Sequence, residues 1–89
     1  MTRHQHTFVD AYDGLVGFGF SREVDEKSLI VYLQKFSDDN LIAALVPRLT
    51  DAEITQLFEF LSQLMRKYLT DDEYHHLFLK DGQEKDPGD

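Results

Sequence analysis

Two adjacent histidines, His75 and His76, follow two adjacent aspartates, Asp71 and Asp72, by one helical turn. Imidazole and carboxylate are the donors of a zinc site and of general acid–base chemistry. The spacing argues against both. Neighbours on a helix point about 100° apart, whereas a zinc-gripping helical pair spaces its histidines by four. The four-residue relation here is Asp71 to His75 and Asp72 to His76, which reads as two helix-surface pairs worth about 0.2–0.5 kcal/mol each. His4 and His6 stand in a polar N-terminal stretch and complete no ligand set. A small-ligand or metal-binding domain using His75, His76 and nearby acids is kept as the alternative function, for the case in which two chains bring their histidine pairs together.

The remaining chemistry-bearing residues fall away one by one. A calcium loop needs ligands at alternating positions, a central glycine and a Glu at the twelfth, and no stretch supplies them. Gly17 and Gly19 begin a dinucleotide fingerprint, but its third glycine would stand at position 22, which is Arg22. Ser21, Ser28, Ser37 and Ser62 carry no nucleophile motif around them. The chain has no cysteine, so thiolate chemistry, disulfides and sulfur metal sites are absent. No catalytic residue, cofactor or metal site is expected, and the chain is not expected to be an enzyme.

Charge narrows the partners. The formal net charge is −8, with nine Lys and Arg against seventeen Asp and Glu. Nucleic-acid and anionic-membrane binding need a basic face, and the densest basic feature is the pair Arg66-Lys67. Neither partner is expected. No apolar run reaches the roughly 18 residues of a membrane span, and the polar start from Met1 to His6 has no apolar stretch after it. The expectation is a soluble, cytoplasmic protein.

The acids have a structural explanation in how helices begin. Three segments share a pattern of apolar residue, Ser or Thr, Asp, any residue, Glu or Asn, then apolar residue. They are Phe36-Ser37-Asp38-Asp39-Asn40-Leu41, Leu49-Thr50-Asp51-Ala52-Glu53-Ile54 and Leu69-Thr70-Asp71-Asp72-Glu73-Tyr74. The first N–H groups of a helix lack internal partners. A Ser or Thr hydroxyl can accept one, and a Glu three residues on can bond back to the cap's own N–H. Acidic residues in the first turn suit the positive end of the helix dipole. A weaker version at Val24-Asp25-Glu26-Lys27-Ser28-Leu29 would use Asp25 as cap.

These signals predict helices over about 26–36, 38–46, 51–69 and 71–79, with errors of about 2–4 residues. Pro47 should close the second, and Gly82 is placed to stop the fourth. The cap spacing is 13 residues from Ser37 to Thr50 and 20 from Thr50 to Thr70, so the chain is not a repeat array. In the helix over 51–69, Ile54, Leu57, Phe58, Leu61, Leu64, Met65 and Tyr68 share one stripe. As the longest element, it should be central, with the others packed on it. The helix over 26–36 offers Leu29, Leu33 and Phe36, with Ile30 and Tyr32 widening its stripe.

Asp13-Gly14 separates two apolar runs and could turn a hairpin. The same residues also read as a short helix capped by Thr7, or as an irregular arm, and that reading is preferred because nothing else in the chain offers a strand.

The expected architecture is all-α. It is a compact bundle of four short helices, five if the arm is helical, with an aromatic N-terminal arm. One domain covers 1–89, with the arm in 1–20, the helical core in 21–80 and a flexible acidic tail in 81–89. Phe60 extends the stripe of the helix over 51–69, giving an apolar arc of about 180° where a core-facing stripe spans about 100°. Phe18 and Phe20 stand in the glycine-flanked arm, and Val31 lies off the main stripe of its helix. Phe18, Phe20, Val31 and Phe60 form the expected interaction surface. The expected function is a small protein-interaction or regulatory module whose partner is another protein or a second copy of itself, as a homodimer.

Overall fold

A computed structural model describes residues 4–81, and there the chain is all-α, with no strand among the described residues. The elements are α1 (Phe8–Ala11), α2 (Arg22–Phe36), α3 (Asp39–Leu45) running into a 3₁₀ turn (Val46–Arg48), α4 (Asp51–Tyr68), and α5 (Asp71–Glu73) running into a π-helical turn (Tyr74–Leu79). The chain divides into two units, one of them Gln5–Arg48 and the other holding the residues from Leu49 onward.

The helix starts test the cap reading directly. At Thr50 and Thr70 the full capping box forms. Glu53 N donates to Thr50 Oγ1 at 3.1 Å, and Thr50 N donates to Glu53 Oε1 at 2.8 Å. Thr70 and Glu73 repeat both bonds at the same distances of 3.1 and 2.8 Å.

At the other two starts the cap lies elsewhere. α3 is capped by Asp38, whose Oδ2 accepts from Asn40 N at 3.0 Å and Leu41 N at 3.2 Å. Ser37 instead closes α2, its hydroxyl donating to Gln34 O at 3.2 Å. Asn40 stands where the other segments carry Glu, so no box is made, and the Asp38 carboxylate is the stronger acceptor. α2 begins one turn earlier than expected, because Ser21 Oγ accepts from Val24 N at 3.2 Å. That releases Asp25 for another bond, described below.

The N-terminal unit is organised by one face of α2. Ser28 and Val31 are its buried residues, and Ser28 is fully buried. Gln34, three residues further on, accepts from Val9 N at 2.8 Å and so ties α1 to the end of α2. Ser28, Val31 and Gln34 thus face the N-terminal segment together. Val31 is therefore packing, not contact surface, and its place on the expected interaction surface is corrected. The stripe read from sequence lies outside: Leu29, Ile30, Tyr32 and Leu33 are all exposed. α1 is the short helix expected for the arm, although Thr7 makes no side-chain cap bond. Phe8 and Tyr12 stack at 5.2 Å between centroids. Pro47 sits inside the 3₁₀ turn, so the chain tightens for one turn before it leaves the helix.

In the C-terminal unit α4 is continuous for 18 residues. After α5 the helix widens, with Tyr74 and Phe78 stacked at 5.4 Å. It ends at Lys80, whose φ of 57° lies in the left-handed region. Asp81 N then donates to His75 O at 3.1 Å. The stop expected at Gly82 and the tail beyond residue 81 lie outside the described residues.

Candidate interaction surfaces

α4 begins at a local signal, the Thr50–Glu53 box, and its interior holds no Gly or Pro to break it. Periodicity then puts the apolar residues on one face. That face is not buried. Ile54, Leu57, Leu61 and Leu64 are exposed, and the aromatics more so: Phe58 at 67%, Phe60 at 59% and Tyr68 at 69%. Within the C-terminal unit nothing among the described residues covers this stripe. Ser62 and Met65 are half-buried, and they line an open groove with Leu69 and Tyr74. The charges of α4 are sorted by end, with Asp51 and Glu53 in the first turn and Arg66 and Lys67 in the last, as the dipole favours. Lys67 Nζ lies 5.2 Å from the centroid of the Tyr68 ring.

Phe18 and Phe20 occupy the loop between α1 and α2, and both are exposed with their neighbours Leu15 and Val16. The backbone of this loop is held. Gly17 N donates to Ser28 Oγ at 2.8 Å, and the same hydroxyl donates to Gly17 O at 2.8 Å. Gly19 N donates to Asp25 Oδ1 at 2.9 Å. Gly19 has φ of 93°, which L side chains rarely adopt. At Gly17 a Cβ would fall 2.7 Å from the Phe20 ring, so the absence of a side chain lets that ring close over the backbone. Phe18 and Phe20 are therefore two exposed aromatics on a fixed loop of the N-terminal unit. Phe60 belongs to the C-terminal unit.

His75 and His76 do not converge on a shared ligand set. His75 Nδ1 lies 3.0 Å from Asp81 Oδ1, and its ring meets Tyr74 edge to face at 5.7 Å. The carboxylate beside His75 is thus Asp81 rather than the expected Asp71, because the π-helical turn brings the end of the segment back under it. Among the described residues no group of three or more His, Asp or Glu side chains is placed to hold a metal ion. No described helix is long and apolar enough to cross a membrane.

Sequence reasoning missed Ser28 and Asp25 as the groups that hold the loop. Their signal was slight: Asp25 and Ser28 are two short polar side chains one turn apart on the same side of α2. The chain matches no protein-family model, no curated protein sequence and no solved structure.

Proposed function

We propose that this chain is a small protein-interaction module that self-associates through the apolar face of α4 and has no catalytic role. One observation carries the reading. The longest helix places seven apolar residues and Phe60 on an arc in which every aromatic is more than half exposed. Contiguous apolar surface rimmed by charge is characteristic of contact with another macromolecule, and aromatic residues are the side chains interfaces favour. The loop with Phe18 and Phe20 offers a second aromatic surface. A cysteine-free composition suits a reducing compartment, and we infer a cytoplasmic location.

Sedimentation equilibrium at micromolar concentration tests the reading. A dimer is expected. Phe60→Asp should return the chain to a monomer and, compared at a dilution where the parent is monomeric too, leave the unfolding free energy within about 1 kcal/mol, since the side chain is already exposed. A parent chain that stays monomeric to millimolar concentration would refute self-association.

A further inference from the structure

The geometry of α4 points to its partner and the direction of approach: we infer that a second copy of this chain pairs with it antiparallel, about a two-fold axis at Phe60. The inference rests on the proposal that α4 is a contact face and adds the occupant and its register.

One flank of the helix carries a seven-residue pattern. Glu53, Phe60 and Lys67 are spaced by seven residues. Seven residues fall about 20° short of two full turns, so the three stand in one column beside the apolar stripe. Read along the helix, the column is acidic, aromatic, basic. Turned end over end about Phe60, it becomes its own complement. Two antiparallel copies bring like flanks together, so Glu53 of each copy faces Lys67 of the other and the two Phe60 rings meet at the axis. The apolar layers agree to within one residue of this register, with Ile54 falling beside Leu64 of the second copy and Leu57 beside Leu61. At about 1.5 Å per residue, each ion pair lies about 10 Å along the helix from the axis.

The parallel alternative does not match. It sets the Glu53 flank against the opposite flank of the other helix, which carries Asp51, Phe58 and Met65. It also crowds both acidic first turns at one end and aligns the helix dipoles side by side. For a chain with net charge −8, approach by another copy needs a local reversal of sign. The column supplies it twice per pair. Glu53 is able to serve both roles, because Oε1 holds the Thr50 N–H at 2.8 Å and the carboxylate has a second oxygen to accept with.

The area suffices. With aromatic side chains at about 150–250 Å² each and four exposed aliphatic residues beside them, the face offers on the order of 700 Å² per chain, near the ~800 Å² per partner of a standard interface.

The absence of native cysteine makes the test clean. Full-length Phe60→Cys, Glu53→Cys and Lys67→Cys chains are treated with a short bismaleimide, singly and as an equimolar mixture of the last two. Phe60→Cys should link to itself. Glu53→Cys and Lys67→Cys should each link poorly alone and efficiently when mixed. Efficient linking of Glu53→Cys and of Lys67→Cys each to itself, with no gain on mixing, would mean a parallel pair and overturn the inference while leaving self-association standing. No linking anywhere, together with a monomer by sedimentation, would overturn both. A charge swap gives an independent readout. Lys67→Glu should loosen the dimer about tenfold by setting two acidic pairs across it, and Glu53→Lys in the same chain should restore the affinity. A Lys67→Glu dimer as tight as the parent would refute the pairing.

Discussion

Ser28→Ala should detach the loop that carries Phe18 and Phe20. The hydroxyl is fully buried and makes two bonds of 2.8 Å to the backbone of one residue, accepting from Gly17 N and donating to Gly17 O. Without it a donor and an acceptor lose their partner together. An orphaned buried polar group costs about 1–3 kcal/mol. Gly17 is half-buried rather than sealed, so water can reach part of it and the lower half of that range applies. Alanine in a helix interior returns about 0.5 kcal/mol through propensity. The net loss is about 0.5–1.5 kcal/mol, which for a domain this small lowers Tm by roughly 2–12 °C. Urea unfolding followed by circular dichroism gives the stability, and hydrogen exchange at Gly17 reports the bond itself. Ser62→Ala is the control. It makes the same propensity gain on α4, where Ser62 is half-buried and holds no loop, and it should be neutral or slightly stabilising. A Ser28→Ala chain within 0.5 kcal/mol of the parent, with its Gly17 amide still protected, would refute the reasoning.

Three further outcomes follow from the same geometry. Asp38→Ala should cost about 1 kcal/mol in urea unfolding and Ser37→Ala less than about 0.5, because the carboxylate and not the hydroxyl caps α3; the reverse order would show that Ser37 is the cap. Glu53→Gln should preserve stability within about 0.5 kcal/mol because Gln can also complete a capping box, whereas Thr50→Ala should cost about 1 kcal/mol. Lys80→Gly should raise stability by about 0.5–1 kcal/mol in thermal unfolding, since glycine relieves the left-handed φ of 57° that closes the last helical turn.

What could be read from the sequence was what lies within a few residues along the chain. The boxes at Thr50–Glu53 and Thr70–Glu73 were legible because cap, donor and return bond all fall inside one turn. Ser37 was misread where the return partner shortens to Asn40. Asp25 looked like a cap because its actual partner, Gly19 N, lies in a loop that no helical spacing connects to it. The stripe of α4 was legible as a set of residues sharing a face, since periodicity fixes that. Periodicity is silent on what covers the face, and the exposure of Phe58, Phe60 and Tyr68 came only from the structure. α2 shows the opposite failure. Its apolar residues run round much of the helix, so the choice of inward face fell to two tertiary bonds, at Ser28 and Gln34, and these buried Val31 in place of Leu29 and Leu33.

The loop held by Ser28 and Asp25 also bears on how fast and how tightly the N-terminal surface can dock. Ordering a mobile segment at the moment of contact costs about 0.5–1.5 kcal/mol for each rotamer-rich side chain, besides its backbone. Here the backbone either side of Phe18 is already fixed through Gly17 and Gly19 before any partner arrives. The surface is preorganised: its entropy was surrendered in folding, so a partner meets a formed shape, and loosening the Ser28 hydroxyl would slow or weaken docking without removing one contact atom from Phe18 or Phe20.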